Sequence, residues 1–465
     1  MKAAKIGLLI LLLGFGGVIE TAWAVRNRIG IGPAGCRVIR GKFYGTPFTF
    51  DAAEERQAVP AGTTVEVENA FGGVRVIQGA PGEVRVSLRK VVFQYTEEAA
   101  RVFASRLRVE KTLTGSVLRV TTNRRELEYG REDVGFETHL EIAVPPDTPV
   151  KVQVEHGAVD VADAARADVT SSYDGVRLER IKGPAVIDCS HGDVSVSGVG
   201  GTLSLTARYG DVTVQDVTGA ATLLVEHGEV SADRVGGLSL TVQHGELKAV
   251  DVKGDLEVHG QHTGVDVTDV AGRAVVETTF GDVTARKVGG ELRAKTEHGS
   301  VQAMDVSGAV TVQASFDDVV LDRIAGPVDV AVEHGGLRAK ALEKGVKARV
   351  SGDEVVLDGF RGAVDVEVQR AGIQLVPAGP LSEPVTATAT HGGIRLQVPR
   401  ESRIALEASA PGGEVQVDVP GLVLSHTDAG RASGTLGGGG SAVRLTADHG
   451  DVHVEGAPAV AAKNP

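Results

Sequence analysis

The sequence predicts an all-β fold: a parallel β-solenoid with about 18 residues per rung and two short strands per rung, preceded by an N-terminal capping region with one short helix. Three observations carry this expectation. A ring-bearing residue returns at a turn every 17 or 18 positions, through His156, Tyr173, His191, Tyr209, His227, His244, His262, Phe280, His298, Phe316 and His334. Each copy splits into two halves of alternating polarity. In the clearest one Val283 and Ala285 share one face and Leu292, Ala294, Thr296 and His298 another, while Asp282, Thr284, Arg293, Lys295 and Glu297 take the opposite parity, which is the period of a half-buried strand. Finally, 61 glycines and 4% aromatics suit a narrow Val, Leu and Ala core interrupted by many turns.

The elements follow in order. Residues 1–24 read as a signal peptide: Lys2 and Lys5 precede the apolar run from Ile6 to Ile19, and Ala22, Trp23 and Ala24 supply the small-x-small cleavage pattern. That run is shorter than the ~20 residues a spanning helix needs, so no stable membrane span is expected after cleavage. The location expected is therefore extracytoplasmic, whether periplasm, cell surface or secreted. Residues 25–60 are expected to be a flexible leader. Residues 61–150 hold strands around Thr64 and Val84, and a helix from Glu97 to Leu107 with Thr96 as N-cap and Val102, Phe103 and Leu107 as its apolar stripe. This helix and the strands Leu118–Thr122 and His139–Val144 are expected to cover the first rung, whose open edge would otherwise invite aggregation. Regular rungs occupy residues 151–345. Longer, less regular ones occupy 346–460, with His391 and His449 still at the turn, and 461–465 is a tail. One copy cannot bury its own apolar face, so the copies must stack, with parallel strands roughly 4.8 Å apart.

Cys36 and Cys189 are the two cysteines; Cys36 falls in the leader and Cys189 shares the parity of Ile187, so no disulfide between them is expected. The turn slot raises metal binding, because His227, His244 and His262 occupy consecutive rungs. Tyr173, Tyr209, Phe280 and Phe316 fill the same slot, so it asks for a flat ring. Its parity is that of Val225 and Val242, which points inward, and the reading is a corner closed by stacked, buried rings. Asp193, Asp211, Glu229 and Glu246 form an acidic row on the solvent parity, read as a solvated face, with bound calcium as the alternative.

These residues resemble a bacterial adhesin-like family of unknown function, related to the head domain of auto-transporter adhesins. The likeness lies in Thr64-Val-Glu-Val-Glu-Asn-Ala-Phe-Gly-Gly-Val-Arg-Val, in the His-Gly-Asp-Val rungs, and in the closing segment from Ile394 to Pro399 and from Leu445 to Val452. The resemblance implies a β-solenoid in the cell envelope and carries over no catalytic residue.

A net charge of −13 argues against nucleic acid as a partner. The sequence holds no nucleophile elbow, phosphate loop or zinc-protease helix, and no insertion long enough to wall a cleft is expected. No cofactor is expected. The function predicted is a non-catalytic, adhesin-like surface or envelope protein that presents a repetitive polar face to a glycan, cell-wall or protein ligand. The alternatives are a structural or sensing component of the envelope and, less favoured, a polysaccharide-active β-helix enzyme.

Overall fold

The computed structural model describes residues 45–129 and 134–457, together with the backbone of the short strands Val38–Ile39 and Lys42–Phe43. The expected signal peptide and Cys36 lie outside the described residues. The chain divides into two compact units, Met1–Lys182 and Gly183–Pro465, each of them a parallel β-solenoid.

In the second unit the first strand of each rung turns Leu203, Leu205 and Ala207 (or their equivalents) inward, and the second turns Val212, Val214 and Val217 inward; all six are at most 1% exposed. Inward positions two, then three, residues apart need an extra outward residue, and Asp216 provides it in the left-handed conformation, at φ 56°. One such residue behaves as a bulge and restores inward parity for the valine that follows. The device recurs at Arg234, Asp251, Asp269, Lys287, Asp305 and Arg323, with φ between 54° and 58°. Register is strict: Leu203 pairs with Ala221, Leu238 with Leu256, and Leu256 with Ala274. The 18-residue pitch runs on from Val328 through Val346 to Val364, so lengthening does not begin at residue 346; it begins between Val364 and Val385.

Chain order and rung order part company at the C-terminal end of this unit. Strands Val385–Ala389 and Ile394–Val398 pair with Ser441–Ala447 and Val452–Gly456, and not with the strands next in sequence. Those next strands, Ile404–Ser409 and Val415–Asp418, lie beyond them as the outer rung. Arg431–Leu436 then covers Ile404–Ser409 antiparallel and is itself paired antiparallel with Val423–Asp428. The chain's last rung is thus inserted inside the one that precedes it.

The first unit repeats the arrangement in mirror order. The rung Thr64–Phe71 and Val74–Gln78 lies between Pro149–His156 with Val159–Ala162 on one side and Val117–Thr122 with Leu140–Val144 on the other. The strands expected to act as a cover are therefore the outer rung itself. Cover comes from antiparallel partners: Val109–Thr114 over Val117–Thr122, and Glu83–Gln94 over Gly135–Ala143. Thr46–Asp51 and Glu55–Ala58 extend the latter sheet antiparallel, so residues 46–51 and 55–58 are strands where a flexible leader was expected. Phe48 and Phe50, packed against a buried cluster, anchor them.

Helix α1 (Glu97–Arg106) starts at Thr96, whose hydroxyl accepts from the Ala99 amide at 3.3 Å. Its buried face is Ala100, Phe103 and Ala104, set with Leu107 against Val92, Leu127 and Phe136; Val102 is 67% exposed and outside the expected stripe. Lys90, inserted under its C-terminal end, donates to the Ala104 carbonyl at 2.8 Å, where the helix dipole favours a cation. Burial lowers the pKa of this ammonium, opposed by Glu55. A second helix, α2 (Arg124–Tyr129), was not expected; it interrupts the outer rung between its two strands.

Candidate functional site

Within the second unit the turn-slot rings stack without a break from His191 to His334. Centroids are 4.4–5.1 Å apart and neighbouring planes lie within 17° of parallel. His391 and His449 form a further pair at 4.9 Å. In the first unit Phe71, His156 and Tyr173 stack at 4.5 and 4.3 Å. The rings are not inside the coil. Tyr209, Phe280 and Phe316 are 47%, 42% and 49% exposed, and His227, His244 and His262 are exposed too. The expected inward parity fails for a local reason, seen at His227: the strand ends there, and the following glycine (Gly228, φ 147°) swings the chain around the corner, so alternation no longer governs. The glycine is also required by space, since a Cβ there would sit 2.1 Å from the Gly210 carbonyl oxygen of the rung below.

This geometry decides between ring packing and ligand binding. His227, His244 and His262 lie face to face at 4.8 and 5.0 Å, within 5° of parallel. Zinc needs nitrogens about 2.1 Å from one ion, hence converging on it, and parallel rings at this pitch do not converge. Among the described residues no three acids, histidines or cysteines are placed to hold a metal. At His334, His391 and His449 the Nδ1 lies 3.3 Å from a carbonyl of the preceding rung. A carbonyl can only accept, so Nδ1 carries the proton there. The ring faces are taken up by one another, which leaves edges for a partner.

The acidic row has a structural task. Asp193 Oδ1 accepts from the Asp211 amide at 3.0 Å, and Asp211 Oδ1 from the Glu229 amide at 2.9 Å. Asp282 does the same for Ser300 at 2.7 Å, and Asp318 for Gly336 at 2.8 Å. Each carboxylate thereby satisfies a turn amide one rung on, which no ladder hydrogen bond reaches. The bond from Gly336, then the Arg338 side chain, holds the Asp318 carboxyl below the ordinary carboxylate range.

A second charged ladder was missed in the sequence. The left-handed residues pair across rungs: Arg234 grips Asp216 through both carboxylate oxygens at 2.6 and 3.0 Å, Arg323 grips Asp305 at 2.5 and 2.9 Å, and Lys287 reaches Asp269. Arg180 and Asp163 form the same fork in the first unit, at 2.7 and 2.9 Å. The guanidinium bonds lower the pKa of Asp163, Asp216 and Asp305. The signal was there to be found: Asp216, Arg234, Asp251, Asp269, Lys287, Asp305 and Arg323 recur at 17 or 18 residues. Nothing in a one-dimensional pattern, however, marks a left-handed conformation.

The outward strand positions form flat rows in register. Ser195, Thr213 and Ser231 are successive partners, as are Ser204, Thr222 and Ser239, Thr284 and Gln302, and Arg293 and Thr311. Two long troughs cross these rows. One of about 610 Å³ runs from Asp211 and Thr213 to Asp282 and Thr284; the other, of about 700 Å³, runs from Ala309 and Thr311 to Pro384 and Thr386. Cys189 is buried beside Ile187. No described helix is long and apolar enough to cross a membrane.

The first unit is less uniform. Arg124, 7% exposed at the start of α2, lies with its guanidinium carbon 4.8 Å from the Phe71 centroid and 3.9 Å from that of Phe136, and so closes the ring stack with a cation–π contact. It donates to the Phe136 carbonyl at 2.6 Å and to Glu128 at 3.1 Å; desolvation lowers its pKa, opposed chiefly by Glu128. Helix α2 stands beside the outward face of the neighbouring strands and walls a cavity of about 490 Å³. The expectation that no insertion would build a wall fails at this point.

These features define a class: extended parallel solenoids held by ring and charge ladders at their corners, with polar rows between them. The chain belongs to the Toastrack DUF4097 family, whose pattern matches residues 84–455. No curated protein matches the sequence. Among solved structures it is similar to that of "a putative cell adhesion protein from Clostridium sporogenes ATCC 15579", at 8% identity over 87% of this chain and 99% of the other. The TM-score is 0.15, at which the two backbones do not superpose as wholes.

Proposed function

We propose that the protein is an exported, non-catalytic, adhesin-like component of the cell envelope that holds its partner through many shallow contacts along the rungs. The observation that carries this reading is the register of the outward rows: short hydroxyl side chains such as Ser195, Thr213 and Ser231 repeat at one position of successive strands. A lattice at roughly 4.8 Å pitch suits a repeating glycan, cell-wall polymer or extended protein, and weak contacts in series raise avidity without a deep pocket. Export rests on the signal-like residues 1–24, with the mature chain beginning at Val25.

The test is binding of the mature chain to isolated cell walls, envelope glycans and host-surface extracts, with a one-rung deletion of residues 237–254 as comparison. That cut keeps the register of Leu238 onto Leu256. Avidity should fall by a few-fold for one rung and further for two. Loss of all binding from one point substitution on the rows, or saturable binding to none of these materials, overturns the proposal. N-terminal sequencing of native protein should read from Val25; an intact Met1 on a cytoplasmic pool overturns the export step.

A further inference from the structure

We infer that the cavity walled by α2 in the first unit is a discrete saccharide site, taking an uncharged sugar of two or three residues. The inference rests on the glycan-binding reading above and gives it a fixed docking point. The floor is the outward face of adjacent parallel strands, where Glu68 and Gln153 are register partners. Arg119, Thr121, Arg125 and Glu155 are also in the lining. The troughs of the second unit are lined by strand and turn residues alone; here α2 adds a wall, and about 490 Å³ falls within the range of small-ligand pockets.

The framework beneath is buried and, apart from Arg124 Nε, hydrogen-bonded. Asn123, 2% exposed, accepts from the Arg108 amide at 2.9 Å and donates to the Arg106 carbonyl at 3.0 Å. Asn69, 4% exposed, is tied to Thr138, and Arg124 is clamped between two rings. Buried, hydrogen-bonded supports of this kind hold outer groups in place before a ligand arrives. By contrast the side chains of Gln153, Glu155 and Arg125 are exposed and make no side-chain hydrogen bond or close ion pair among the described residues, although the Glu155 charge acts on Arg124. They supply planar amide, carboxylate and guanidinium ends, each able to engage two neighbouring hydroxyls, with both donors and acceptors on offer.

Charge selects the ligand class. Glu68, Glu110, Glu126 and Glu155 line the cavity together with Arg119 and Arg125, with Arg124 buried beneath, so both signs are present. A phosphate or sulfate group meets carboxylates as well as arginines, and a polycation meets the arginines. An apolar peptide anchor finds no ring face, because Phe71 is covered on one side by His156 and on the other by Arg124. A neutral polyhydroxylated molecule fits such a surface without an unpaired charge.

The experiment is calorimetric titration of the mature chain with N,N′-diacetylchitobiose, cellobiose and maltotriose, with inorganic phosphate and 3′-sialyllactose as charged comparators. At least one neutral sugar should saturate with Kd of about 1 mM or tighter. Glu155→Gln and Gln153→Ala, both at exposed strand positions, should each weaken it by roughly tenfold, while Lys344→Ala, at an exposed turn of the second unit, leaves it unchanged. Saturation by phosphate or sialyllactose alone, indifference to both substitutions, or no saturation by any neutral sugar overturns the inference. The 237–254 deletion separates the two proposals: graded wall binding that falls while sugar titration persists upholds both, and wall binding without any sugar titration removes only this one.

Discussion

Replacing His244 tests whether the corner rings are surface braces or core residues. In the structure His244 is exposed and stacked between His227 at 4.8 Å and His262 at 5.0 Å. Truncation to alanine removes two ring contacts and leaves no cavity, since one side of the ring already faces solvent. At roughly 0.5–1.5 kcal/mol per aromatic pair, discounted for exposure, His244→Ala should cost about 1–2 kcal/mol. Leu240, on the same strand, is 1% exposed, and Leu240→Ala should cost about 2–5 kcal/mol through lost burial and a cavity. His244→Phe keeps both stacks, as Phe280 does one rung beyond His262, and should stay within about 1 kcal/mol of the native protein. Urea denaturation of the protein, followed by circular dichroism, ranks the three midpoints. If His244→Ala proves as damaging as Leu240→Ala, the ring is in the core and the corner assignment is wrong. If His244→Phe proves as damaging as His244→Ala, the imidazole nitrogens matter and stacking does not explain the slot.

Three further outcomes follow from the same geometry. Gly228→Ala, with φ 147° and a Cβ 2.1 Å from the Gly210 oxygen, should lower stability by about 3 kcal/mol, against about 1 kcal/mol for Gly62→Ala, where the φ is 79° but the space is open; equal thermal shifts would refute the stacking constraint. Because Asp163, Asp216, Asp305 and Asp318 have folded pKa values below the unfolded ~3.9, their stabilisation is complete above that value and is lost as pH falls through the folded values. The Tm should therefore drop as pH falls below about 4, and a Tm unchanged between about pH 5 and 3 contradicts the carboxylate account. Chelation with EDTA should leave the Tm unchanged, and stoichiometric zinc surviving dialysis would contradict the parallel-ring geometry at His227, His244 and His262.

The regular rungs were legible because an 18-residue repeat with two short alternating stretches has few other ways to hide its Val, Leu and Ala. Alternation served inside strands, where Leu203, Leu205 and Ala207 all point in. It failed at their ends, where Gly228 turns the corner and the ring at position 227 points out, because parity is a property of extended backbone only. Order between rungs was illegible for a different reason. Val385 is equally suited to lie beside Ile404 or Val443, and the choice between them depends on loop closure and on which edge receives an antiparallel cover. The cavity under α2 was missed because residues 124–129 form too short a helix to announce itself by periodicity. Its floor residues come from segments about 85 positions apart, brought together by the pairing of Glu68 with Gln153.

The inserted last rung has a consequence for assembly. Synthesis delivers residues 404–436 before 441–456, yet the parallel partners of Ile404–Ser409 and Val415–Asp418 are supplied by the later segment. Until that segment arrives, the Val385–Val398 rung is an open edge and the covering hairpin has nothing seated to cover. The closing segment therefore works as a keystone, and a chain ending at residue 440 would forfeit two rungs and their cover in place of one.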